Sequence, residues 1–136
     1  MEEKWEFQNH SLIGSKMEIK KAQDKIREFD EARGWEDNWN IKDLLLNITE
    51  EGGELWELIK WIDDEKQKEI VSKEKVEVSD YVGDTLFLLL KIANQTGVDV
   101  EKALQDTLDE YEKRMPPEVM KKVKHANKLA GGVDDK

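Results

Sequence analysis

The two prolines of this 136-residue chain stand side by side, at positions 116 and 117. Everything before them lacks the one residue that removes a backbone donor and breaks a helix. The glycines fall where helices would end, and the apolar residues recur at helical spacing. Ser15-Lys16-Met17-Glu18 has the spacing of a capping box, predicting a first helix from there to Arg33, closed by Gly34. The stretch GWEDNWN then reads as a loop with two tryptophans. A second helix is predicted from about Ile41 to Trp61. DDEKQKEIVSKEK follows as a polar connector with room for a helical turn. A third helix runs from about Glu74 to Thr96, where Gly97 stops it, and Asp99 caps a fourth that ends near Arg114. A short basic helix and a frayed GGVDDK tail complete the chain. No strand-period segment or repeat competes. The expectation is an all-α, four-helix-type bundle in one domain spanning 1–136, with flexible ends at 1–14 and 130–136.

Composition removes whole classes of function. There is no cysteine, and the two histidines, His10 and His125, lie near no second cluster of ligand-type residues. Zinc held by nitrogen and sulfur is therefore not expected, and any metal would be hard and oxygen-bound. A formal net charge of -10 opposes binding to nucleic acid phosphates. No apolar run reaches membrane-spanning length; the strongest, Leu86 to Leu90, ends at Lys91. The acidic N-terminus MEEKWEFQNH carries no signal-peptide pattern. The expectation is a cytoplasmic protein with no membrane or nucleic-acid partner.

Against that background, TEEGGELWELIKW at 49–61 is anomalous. Glu50, Glu51, Glu54 and Glu57 stand among Leu55, Trp56, Leu58, Ile59 and Trp61, around two glycines. At about 100° per residue, Glu51 and Glu54 share a face, Glu50 lies beside them, and Trp61 returns to nearly the same angle, with Trp56 turned away. The third helix repeats the theme. Glu77, Asp80 and Asp84 are three and four apart, Lys91 falls on the same face, and Val82, Leu86, Leu89 and Ala93 form a displaced apolar stripe. The bland reading is two solvated helix edges in a Glu-rich chain. Two such sets on the two most apolar helices favour another. Clustered carboxylates repel, and a divalent cation removes the penalty. Facing helices of a bundle build carboxylate metal sites in this way, and magnesium keeps positions open for phosphate oxygens. Gly53 is expected to make room for a neighbouring helix.

EEGGEL at 50–55, followed by VGDTLFLLLKIANQTGVDVEKAL at 82–104, resembles the MazG-like all-α nucleoside triphosphate pyrophosphohydrolases, whose signature is E-E-x-x-E, a spacer, then E-x-x-D. The similarity runs from about Phe29 through Pro116, where RMP resembles the family's usual ending of the last core helix. It is nearest to the dCTP pyrophosphatase branch, which has tryptophans at the positions of Trp35 and Trp61. The resemblance implies a helical bundle paired into a homodimer or homotetramer, with magnesium as cofactor and manganese as the alternative. It also implies that Glu51, Glu54 and Asp84 hold the metal and that Trp35 and Trp61 border the base and sugar. Trp39, Lys42, Lys91 and Arg114 are further candidate contacts to a nucleoside triphosphate. Glu50 is the candidate to orient or deprotonate the attacking water. The implied role is hydrolysis to the monophosphate and pyrophosphate, as nucleotide-pool housecleaning.

The chain also departs from the pattern. The family's second glutamate falls on Tyr81, which cannot replace a carboxylate ligand at neutral pH. Asp80 substitutes for it, or Glu77 and Asp80 form the pair one turn earlier; the sequence leaves both open. A phosphate-contacting lysine and asparagine of the family fall on Thr107 and Tyr111, which leaves Lys91 or the tail residues Lys124, Asn127 and Lys128 as replacements. Two rival readings follow: a catalytically impaired member that binds nucleotide or metal, and a helical interaction protein with acidic faces.

Overall fold

A computed structural model describes residues 17–122, and these are helical with no strand. The helices are α1 (Ile19–Glu31), α2 (Ile41–Glu57), α3 (Asp64–Lys73), α4 (Lys75–Thr96), α5 (Val100–Arg114) and the single-turn α6 (Pro117–Met120). The all-α expectation holds, but the described chain has six helices rather than four. Ser15 lies outside the described residues, as do His10, His125, Lys124, Asn127 and Lys128. Glu18 precedes α1 without a side-chain cap.

The helix ends follow local chemistry. Gly34 has φ 65°, and two bonds close α1: Gly34 N–H to the Glu31 carbonyl at 3.1 Å and Trp35 N–H to the Asp30 carbonyl at 2.9 Å. This is a Schellman closure, which needs the left-handed conformation glycine adopts at no steric cost. Gly97 ends α4 with φ 69°. Asp99 caps α5 through Lys102 N–H at 3.1 Å, as its position predicts. Asn40 opens α2 with a reciprocal capping box: its side chain accepts from Asp43 N–H, and Asp43 accepts from Asn40 N–H.

One boundary differs in substance. The second helix stops at Glu57, four residues short of Trp61. Leu58 and Ile59 donate to the carbonyls of Leu55 and Trp56, which tightens the last turn. Asp63 then caps α3 by accepting from Lys66 N–H at 2.9 Å. The apolar period continues through Trp61, so pattern alone overruns. The N-cap carboxylate, followed by Asp64 and Glu65 in the first turn, starts a separate helix.

Helix α4 is the hub. It packs against α1, α2 and α3, while α5 packs on α1. Gln23 of α1 ties the α4–α5 turn, donating to the Val98 carbonyl at 2.7 Å and accepting from Val100 N–H at 3.3 Å. Among the described residues only Leu44, Leu88, Leu90 and Ala93 are buried apolar side chains. Val82, Leu86 and Leu89 of α4, Leu45 and Leu46 of α2, and Leu104 and Leu108 of α5 stay exposed. Of the stripe predicted on the third helix, only Ala93 is covered within the chain. No described helix is long and apolar enough to cross a membrane.

Candidate active site

Helices α2 and α4 pack together and bring two acidic series into electrostatic contact. The clearest sign is Glu51. Burial raises its carboxyl above the ordinary value, and the charges of Glu54, Asp84, Glu50 and Asp80 push it further the same way. Two of those four neighbours come from α2 beside it and two from α4 across the interface. The α4 carboxylates that act on Glu51 are Asp80 and Asp84.

Tyr81 occupies the interface instead of joining the acidic group. A Cβ placed on Gly52 would meet Tyr81 Cε2 at 4.0 Å, so the ring lies over that glycine. At Gly53 a Cβ would meet nothing within 4 Å. The glycine beside a neighbouring helix is thus Gly52, contrary to the expectation for Gly53.

The donor set is hard, anionic and mutually repulsive, which is the chemistry that suits magnesium. Glu51, Glu54, Asp80 and Asp84 are the carboxylates placed to share such a cation. Their oxygens are within charge-to-charge reach but not gathered into a coordination shell. Among the described residues no three of His, Asp and Glu stand close enough to form one.

Farther along, the loop between α1 and α2 builds an aromatic ladder. Phe29 meets Phe87 and Trp35 edge-on, each at 5.8 Å between centroids, and Trp35 meets Trp39 at 5.3 Å. Trp39 forms one wall of a cleft of about 510 Å³, with Asp30, Glu36, Asp37, Asn40 and Lys91 also lining it. That volume suits a small organic ligand. Lys91 is nearly fully buried, with Nζ 3.0 Å from Asp30 Oδ1 and 4.4 Å from the centre of the Trp39 ring. Its ammonium is committed to that pair, which counts against a direct triphosphate contact.

The remaining candidates lie apart. Trp61 is 86% exposed in the turn after α2, where its ring partner is Trp56 at 6.4 Å. The end of α2 at Glu57 removes the helical-face argument that set Trp61 with the carboxylates; Trp56, inside α2 and turned away from them, is exposed rather than covered. Lys42 is exposed in the first turn of α2. Arg114, at the end of α5, pairs with Glu110 at 2.7 Å. Thr107 donates back to the Ala103 carbonyl within its own helix. Sequence reasoning missed Asp30, Phe29 and Phe87. The available signal was an acid and a base on the inward faces of two helices, sixty-one positions apart in the chain.

These features coincide with a known family. The MazG nucleotide pyrophosphohydrolase domain matches residues 40–120, and the chain belongs to that family. It is 31% identical over 91 residues to dCTP pyrophosphatase 1 of Rattus norvegicus and, equally, of Bos taurus, a match covering 65% of this chain. The match spans 54% of the length of those relatives. The fold resembles a pyrophosphatase from Archaeoglobus fulgidus with a TM-score of 0.65 and 25% identity, covering 76% of this chain and 96% of that one. The resemblance to the dCTP pyrophosphatase branch is borne out.

Proposed function

We propose that this chain hydrolyses a nucleoside triphosphate to the monophosphate and pyrophosphate. The observation that supports the reading is the meeting of carboxylates from α2 and α4 around Glu51, whose carboxyl they push upward, within the stretch 40–120 that the MazG domain matches. Magnesium, held by Glu51, Glu54, Asp84 and Asp80, would neutralise phosphate oxygens and polarise the α-phosphorus. Glu50 stands next to the ligands and accepts the proton of the attacking water. The water oxygen bonds to the α-phosphorus, the bond from that phosphorus to its bridging oxygen breaks, and pyrophosphate leaves. Trp39 offers a ring to the base in the cleft, where Glu31, Glu36 and Asp37 outnumber the one rim cation, Arg27, so the neutral end of the nucleotide suits that side better than the phosphates.

The active unit in this reading is a homodimer or larger homo-oligomer acting on cytoplasmic nucleotide pools. The exposed row Val82, Leu86 and Leu89 supports it. Each such side chain contributes roughly 1.5–3 kcal/mol when fully covered. Hydrolysis in ¹⁸O-labelled water tests the chemistry. Label in the monophosphate supports attack at the α-phosphorus, and label only in pyrophosphate contradicts it.

A second reading has its own observation. Tyr81 stands where the family has a carboxylate, and its ring packs on Gly52. A member that binds nucleotide without turning it over would show magnesium-dependent thermal stabilisation by triphosphates and no pyrophosphate release.

A further inference from the structure

We infer that Lys91 is a positioning residue: clamped by Asp30, it sets the Trp35–Trp39 loop relative to the carboxylates. The inference rests on the nucleotide reading above.

Three residues spaced four apart on α4 support this loop, two of them directly. Phe87 acts through α1: it meets Phe29 edge-on, and Phe29 in turn meets Trp35. Lys91 places its ammonium 4.4 Å from the Trp39 centroid, 5.2 Å from Phe87 and 5.9 Å from Trp35. Gln95 donates from Nε2 to the Trp39 carbonyl at 2.8 Å. Asp30 closes the clamp from α1. Its carboxylate holds Lys91 at 3.0 Å, and its backbone carbonyl accepts from Trp35 N–H at 2.9 Å. One residue thus fixes both the ammonium and the start of the loop.

The same stripe of α4 carries Asp84, seven residues before Lys91 and about 10 Å along the axis. The loop in turn passes through the Asn40 cap into α2, which bears Glu50, Glu51 and Glu54. Rings and carboxylates are therefore set on two shared helices, with the buried ion pair fixing the distance between them. A buried ammonium surrounded by ring faces is held by charge as well as shape. A neutral side chain of similar length fills the volume and loses the hold.

The test uses Lys91→Met, Lys91→Arg and the double variant Asp30→Asn with Lys91→Met. The double variant leaves no unpaired buried charge if the single Met variant fails to fold. Fluorotryptophan labelling gives a ¹⁹F signal for each of the five tryptophans. The expected result is a shifted or broadened Trp39 signal and a KM raised roughly tenfold with kcat kept in both Met variants, and a smaller change of each in Lys91→Arg. Partial recovery in Lys91→Arg supports a role for the charge. An unchanged Trp39 signal in the folded double variant overturns the inference, whether or not the wild type turns over nucleotide. So does a fall in kcat with KM unchanged. Absence of turnover in the wild type overturns the nucleotide reading alone, and the Trp39 signal then still decides the clamp.

Discussion

Lys91 Nζ lies 3.0 Å from Asp30 Oδ1, and the two side chains, from α4 and α1, are almost wholly shut off from solvent. Their ion pair is made where water cannot screen it or replace a lost partner. Removing one member strands the other charge, at a cost of about 3–5 kcal/mol. Asp30→Ala is therefore expected to lower stability by that amount in denaturant melts. Asp30→Leu combined with Lys91→Met should retain most of the stability. Equal loss in the double variant would contradict the pairing account.

Glu51 tests the acidic interface without metal. Its carboxyl holds a proton to higher pH in the folded chain than its ordinary 4.5 allows in the unfolded one. The folded state thus binds more protons in the window from 4.5 upward, so this group's contribution makes stability fall as pH rises through the folded value. Above that value the penalty is complete and constant. Glu51→Gln should make the metal-free protein more stable than its parent at about pH 8, with the advantage vanishing near pH 4. Urea midpoints at the two pH values check this. A variant less stable at the higher pH would mean that the ionised carboxylate is held by a favourable partner.

The glycines give a prediction of opposite sign to the usual expectation for a close-packed GG pair. Both sit inside α2 with helical backbone, and an added Cβ meets only Tyr81 at ordinary contact distance from Gly52 and nothing at Gly53. Gly53→Ala should stabilise the chain by roughly 1 kcal/mol, and Gly52→Ala by no more than that. Thermal melts decide it. Loss of stability at position 53 would place a second chain against that surface.

Val82, Leu86 and Leu89 test assembly. Wild type is expected to elute in light scattering at twice the 15.9 kDa chain mass or a higher multiple. Leu86→Glu together with Leu89→Glu should shift it toward single chains. A wild-type protein at 15.9 kDa would contradict the proposed pairing.

Helix positions and caps were legible because their causes are local. Gly34, Gly97 and Asp99 each fix a boundary through bonds to residues within five positions. The acidic group was legible because both helices carry it at helical spacing. The end of α2 was not, because the apolar period runs on past Glu57 while the α3 cap at Asp63 takes over. The same extrapolation put Trp61 on the face of α2, which ends before it. The Lys91–Asp30 pair was illegible because periodicity says which face a residue occupies, not which residue of another helix meets it.

The most direct measurement of the central claim is product analysis with the purified chain. A panel of ribo- and deoxyribonucleoside triphosphates is incubated with and without magnesium, beside Glu54→Gln and Asp84→Asn. The account predicts equimolar monophosphate and pyrophosphate from at least one triphosphate, only with the metal, and none from either variant despite intact helical structure. Release of orthophosphate with the nucleoside diphosphate, or undiminished turnover in both variants, would contradict it.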